Sequence, residues 1–149
     1  MINRIQHAAI STGDMARALE FYRGLLGFTV ISDATWERGS EAAANAQQIM
    51  ELEEVSVRAV MLSLGDTLLE LFEFDAPTPT PAQPGRPVCD HGFTHICLDV
   101  TDMAAEYERL SEAGMRFHCP PMQLGRSTKV TYGRDPDGNV IELYERLKR

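Results

Sequence analysis

The chain has 149 residues, 44% of them apolar, with 14 Lys and Arg against 22 Asp and Glu and a formal net charge of −8. That length and composition suit one folded domain with a sizeable core, and the acidic excess excludes a phosphate-backbone binder, which needs clustered cations. Three cysteines without a C-x-x-C pair (Cys89, Cys97 and Cys119), no apolar run of membrane-spanning length and no apolar core in the opening MINRIQH lead to the expectation of a cytoplasmic protein without nucleic-acid or membrane partners.

Along the chain, residues 5–11 read as a strand. A helix follows, with Asp14 as its cap and Met15, Ala18, Leu19, Tyr22, Leu25 and Leu26 on one apolar face. Gly27 stops it, and 28–31 read as a second strand. Residues 40–54, SEAAANAQQIMELEE, are rich in helix formers. Two strands follow, 55–64 and 67–74, joined by a turn at Gly65-Asp66. APTPTPAQPGRP, residues 76–87, holds five of the eight prolines and reads as an extended linker.

The second half repeats this order. A strand over 93–100 precedes a helix capped by Thr101 or Asp102, with Met103, Tyr107 and Leu110 inward. Gly114 ends it, and 115–118 form a short strand. After a glycine-containing loop come a strand near 129–133, the turn DPDGN (135–139) and a last strand over 140–146. Each half is therefore strand–helix–strand–strand–strand. The expected organisation is a single domain over 1–149, with a first βαβββ module at 1–75 carrying a helical insertion about 39–54. A linker at 76–91 and a second module at 92–149 complete it.

Matching points of the repeat carry matching polar residues. HAAISTGDM begins at His7 and HICLDVTDM at His95, and the last strands carry Glu70-Leu71-Phe72 and Glu142-Leu143-Tyr144. On alternating strands His7 shares a face with Ile5 and Ala9, His95 with Phe93 and Cys97, Glu70 with Leu68 and Phe72, and Glu142 with Val140 and Tyr144. These neighbours are mostly apolar, so the four polar groups are expected on a core-like surface, where each needs a partner. Convergence on one divalent cation would satisfy all four.

The stretches 7–28, 57–73, 93–114 and 133–145 resemble the vicinal oxygen chelate superfamily, the glyoxalase, bleomycin-resistance and dioxygenase group. The resemblance implies an α+β fold in which two tandem βαβββ modules form a curved, open, barrel-like mixed sheet around a divalent metal. It places His7, Glu70, His95 and Glu142 on the ligand positions, with Zn, Ni, Co, Mn or Fe as the ion. It also implies a small-molecule substrate and a homodimer.

A set of two His and two Glu leaves about two octahedral positions, enough for a bidentate substrate. That suits the glyoxalase I-like lyases and methylmalonyl-CoA epimerase-like isomerases of the superfamily, which abstract a proton next to a carbonyl while the metal stabilises the enediolate. Glu142 is the first choice as base and Glu70 the second. An iron dioxygenase is disfavoured by Glu70, and a ligand-sequestering protein of the bleomycin-resistance kind by the complete donor set. Many glyoxalases carry an Arg four residues after the first ligand; Ser11 stands there, against glutathione as cosubstrate. In the epimerase reading Glu53-Glu54 lie where a base could sit. Arg126 and Lys129 could meet an anionic substrate, though a solvated loop explains them as well. Trp36 lines a pocket or packs the insertion, Cys97 reads as core filler, and His91 and His118, without repeat partners, read as non-ligands.

Overall fold

The computed structural model describes residues 1–83 and 85–147; Pro84 of the expected linker and Lys148 and Arg149 of the expected second module lie outside the described residues. The chain divides into two compact units, Met1–Pro81 and Ala82–Arg149. In the first, β1 (His7–Ser11) leads into α1 (Met15–Leu19), which continues as a π-helical stretch over Glu20–Leu25. There follow β2 (Thr29–Trp36), α2 (Glu41–Met50), β3 (Ser56–Leu64) and β4 (Thr67–Ala76). The strands lie in the order β1-β4-β3-β2, β1 parallel to β4 and the other pairs antiparallel. The second unit runs β5 (His95–Asp99), α3 (Met103–Glu112), β6 (Arg116–Phe117), β7 (Met122–Leu124), β8 (Thr128–Arg134) and β9 (Val140–Arg146). Its order is β5-β9-β8-β6, with β7 also paired to β8 and β5 parallel to β9. The fold is α+β, with one open mixed sheet in each unit.

The repeat holds at the level of hydrogen bonds. Ala9 lies opposite Glu70 as Cys97 lies opposite Glu142. Thr12 N–H donates to the Phe72 carbonyl, and Val100 N–H to that of Tyr144, both at 2.8 Å. The helices start at side-chain caps: Asp14 accepts from Arg17 N–H at 3.0 Å, Ser40 from Ala43 N–H at 3.1 Å and Asp102 from Ala105 N–H at 3.2 Å. A second carboxylate reinforces two of these starts. Glu73 accepts from Met15 N–H and Glu145 from Asp102 N–H, each at 3.0 Å, adding negative charge at the positive end of the helix dipole.

In the first unit the core is built of Met15, Ala18, Phe21, Tyr22 and Phe28 with Val60, Leu62, Leu69 and Leu71; in the second, of Met103 and Leu110 with Ile141 and Leu143. The apolar stripe expected over 15–26 is re-aimed at its far end. Leu26 N–H donates five residues back to Phe21 at 2.9 Å, a π-type bond that widens the turn. Phe21 is thereby buried, while Leu19, Leu25 and Leu26 remain half-buried. β2 runs on to Trp36, beyond the expected 28–31, and β7 occupies the expected loop after 118. The insertion forms α2, whose Ala46 packs with Val55 and Val57 against Trp36, Met50, Leu52, Phe72 and Phe74.

Candidate metal centre

Strand register decides which side chains meet. In the first unit Ala9, Glu70 and Met61 are directly opposite one another on β1, β4 and β3 and so share one face. His7, two residues before Ala9, lies on that face too. Its Nε2 is 3.3 Å from Glu70 Oε2, and its Nδ1 meets the side-chain oxygen of Gln6. In the second unit Cys97, Glu142 and Tyr132 form the corresponding row on β5, β9 and β8. His95 Nε2 is 3.0 Å from Glu142 Oε2, and its Nδ1 is 2.9 Å from Thr94 Oγ1. The structure thus joins His7 to Glu70 and His95 to Glu142.

Gln6 and Thr94 do the same work 88 residues apart. An Nδ1–H that donates to the preceding side-chain oxygen leaves the lone pair on Nε2, the atom aimed at the carboxylate. Two lone-pair-bearing atoms at that separation repel unless a proton or a cation lies between them. Donors bound side by side on one cation at about 2.1 Å stand roughly 3.0 Å apart at a right angle and roughly 3.4 Å at the tetrahedral angle. Both pairs fall in that span, so the donor chemistry fits a divalent ion. Each pair alone supplies two protein donors. No group of three or more His, Cys, Asp or Glu placed to hold an ion occurs among the described residues.

The faces carrying these residues are partly covered, short of a full core surface. Side-chain exposure is 36% and 16% for His7 and Glu70, and 27% and 14% for His95 and Glu142. The opposite faces carry the fully buried Leu69 and Leu71 in one unit and Ile141 and Leu143 in the other, while buried Val57 and Ala59 share the Glu70 face and buried Val140 the Glu142 face. Alternation identifies which residues share a face; the helix decides which face is covered. Ile5, expected beside His7, precedes β1 and is exposed, and Cys97 is exposed rather than core filler. Burial still pushes the Glu70 carboxyl above the usual carboxylate range, with the nearby His7 opposing the shift. Although the residue is exposed, the Cys97 thiol is pushed up to about 11, first by desolvation among its sheet neighbours and then by the Glu142 carboxylate beside it.

The secondary candidates separate. Lys129 lies on β8 one residue from the Val130–Tyr132 face and is therefore on the side away from Glu142, and Arg126 is exposed. Glu54 pairs with Arg38 at 3.4 Å on the surface, and Glu53 is exposed. His118 Nε2 accepts from Arg134 Nε–H at 3.1 Å. Burial, then the charges of Arg134 and Arg116, hold the His118 imidazole below its usual range. Trp36 packs the α2 cluster, its ring 6.2 Å from that of Phe72. Sequence reasoning missed Gln6, Thr94 and Tyr132. The signal for the first two was present: each histidine follows a residue with a side-chain oxygen.

Two βαβββ units, each bringing a His of its first strand beside a Glu of its last strand, make up the chain. The chain belongs to the Glyoxalase/Bleomycin resistance protein/Dioxygenase superfamily, whose family model matches residues 4–143. It is 29% identical to an ethylmalonyl-CoA/methylmalonyl-CoA epimerase of Cereibacter sphaeroides, with 96% of this chain and 98% of the relative covered. It is 27% identical to a lactoylglutathione lyase of Pseudomonas aeruginosa, with 93% and 80% covered. Among solved structures, a glyoxalase family protein of Bacillus cereus shares the fold with a TM-score of 0.88 at 23% identity, over 99% of this chain and 97% of that one. A fosfomycin resistance protein of Listeria monocytogenes, solved with Mn(II) and sulfate, shares it with a TM-score of 0.64 at 12% identity, over 97% and 93%.

Proposed function

We propose that this chain is a divalent-metal-dependent lyase or isomerase of the glyoxalase I type, with His7, Glu70, His95 and Glu142 together holding one ion. The observation that carries this reading is the pair of His–Glu contacts, 3.3 and 3.0 Å, each with the imidazole Nδ1 held by the residue before it. When bound, the cation polarises a substrate carbonyl and offsets the charge that develops as the neighbouring proton leaves. The chain's own part is to hold the imidazoles in the ligating tautomer and to supply a carboxylate, Glu142 or Glu70, that accepts the proton. Neighbouring half-buried apolar side chains, such as Met61 and Phe72 beside Glu70, limit water around that step.

A second reading, a methylmalonyl-CoA epimerase-like isomerase, is favoured by Ser11. That residue shares the face of His7 and cannot pair with a glutathione carboxylate as an Arg could, and the epimerase relative, matched over 98% of its length, supports the same reading. Both activities begin with the same proton removal and differ in the carbon to which a proton returns. The test is to incubate metal-loaded protein in deuterated water, in turn with methylmalonyl-CoA and with the methylglyoxal–glutathione hemithioacetal, and to track proton exchange and products by NMR. Deuterium at the epimerisable carbon assigns the isomerase, and thioester formation the lyase. No exchange with either, by a chain shown to hold metal, overturns proton abstraction on these substrates. The Glu142→Gln and Glu70→Gln variants, compared at matched metal content, identify the base, because removing the true acceptor abolishes exchange.

A further inference from the structure

The two His–Glu pairs occupy matching points of the repeat, yet their surroundings differ. Glu70 is flanked by Ala9 on β1 and Met61 on β3, neither of which has a side chain that donates to a carboxylate. Glu142 is flanked in the same register by Cys97 on β5 and Tyr132 on β8. Cys97 stands directly opposite Glu142 across the strand pair, its thiol placed to donate to that carboxylate. The Tyr132 ring lies 5.1 Å from the His95 ring at an interplanar angle of 37°. The Tyr132 ring also meets that of His118, centroids 6.2 Å apart, and His118 is held by Arg134. Arg134 is fixed in turn, donating to the Gly138 carbonyl at 2.6 Å and the Arg86 carbonyl at 3.0 Å. A continuous support thus runs from two backbone carbonyls through Arg134, His118 and Tyr132 to the His95 ring. The first unit has an alanine and a methionine at the two flanking places.

We propose that Cys97 and Tyr132 are positioning residues that hold His95 and Glu142 in ligating geometry, so that the second unit presents the preformed half of the metal site and these two side chains set the affinity for the ion. This rests on the metal reading above. Partners that fix the orientation of metal ligands typically change metal affinity by about 10- to 100-fold when removed. Cys97 works through its S–H, which a serine hydroxyl can replace and an alanine cannot. Tyr132 works through its ring, which phenylalanine keeps and the first unit's counterpart, methionine, does not.

The test titrates Co(II) into the full metal-free chain and reads the dissociation constant by visible absorption and equilibrium dialysis, with far-UV circular dichroism as a check of folding. Cys97→Ala and Tyr132→Met are expected to weaken Co(II) binding about 10- to 100-fold, whereas Cys97→Ser and Tyr132→Phe stay within about threefold of the parent. Met61→Leu, at the matching place in the first unit, is expected to leave it unchanged. Should Tyr132→Met fail to fold, the Cys97 pair carries the test. The proposal is overturned if Cys97→Ala binds as tightly as the parent, or if serine rescues no better than alanine. A parent chain that takes up no Co(II) overturns the metal reading itself, a result separable from intact binding that is indifferent to Cys97 and Tyr132.

Discussion

The turn that sets Glu142 opposite Tyr132 offers a sharp test of how the second unit is held together. Asp135 opens DPDGN between β8 and β9 and is only 6% exposed. Its Oδ1 accepts from the N–H groups of Asp137 at 3.0 Å and Asn139 at 2.7 Å, and its Oδ2 accepts from Asn139 Nδ2 at 2.8 Å. Hydrogen bonds to a charged group contribute about 1.5–3 kcal/mol each, and the freed turn amides can partly recover water, so Asp135→Ala should cost about 3–4 kcal/mol rather than the full sum. For a chain of this length that is a fall in Tm of roughly 6–15 °C. Asp135→Asn keeps an oxygen for the two backbone donors but sets an amide against the Asn139 amide, and should cost only about 1–2 kcal/mol. Urea unfolding monitored by circular dichroism in the presence of a chelator measures both. The reasoning fails if the alanine variant lies within about 0.5 kcal/mol of the parent, the range of an ordinary surface change, or if asparagine is as damaging as alanine.

Three further outcomes rest on the same structure. Leu71, fully buried on the face opposite Glu70, should cost about 2–5 kcal/mol when cut to alanine, read as a lowered urea midpoint. Because burial raises the Glu70 pKa, the folded metal-free chain holds that proton to higher pH than the unfolded chain does. Its contribution to stability therefore declines as pH rises from the usual glutamate range toward neutrality. Glu70→Gln should gain on the parent between pH 4 and 7 in chelator, and a parent that gains on the variant would contradict this. Asp33 behaves oppositely. Its hydrogen bonds from Arg58, at 3.0 and 2.7 Å, hold its carboxyl below the usual range. Asp33→Asn should cost under about 1 kcal/mol at neutral pH, an exposed-pair value, and the difference should vanish as pH falls through the depressed Asp33 pKa.

The repeat was legible because its signals are local. His7 and His95 open matching strands, Asp14 and Asp102 cap matching helices, and Asp135 to Asn139 write their own turn. The insertion announced itself through helix formers after Ser40, which caps α2. What escaped was set by partners distant in sequence. β2 carries Ser32, Asp33 and Thr35, polar residues that mask a strand whose Trp36 lies opposite Val57. β7 is three exposed residues whose strand character comes from pairing with β8. The π-type turn that buries Phe21 cannot be read from a 3.6-residue period. The covered face of each sheet depends on where the helices pack, so alternation paired His7 with Glu70 and His95 with Glu142 on shared faces without showing how deeply each face is covered. Tyr132, whose first-unit counterpart Met61 shares none of its chemistry, gave the repeat nothing to reveal.

The central claim, that His7, Glu70, His95 and Glu142 hold one divalent ion, is tested most directly by elemental analysis. The parent chain and the His7→Ala and His95→Ala variants would be prepared without an affinity tag, reconstituted with Ni, Zn, Co, Mn or Fe, and freed of loosely held ions. The account predicts about one equivalent of metal per chain for the parent, as for a site with four protein donors, and near none for either variant. A parent without metal, or a variant that keeps its full equivalent, would contradict it.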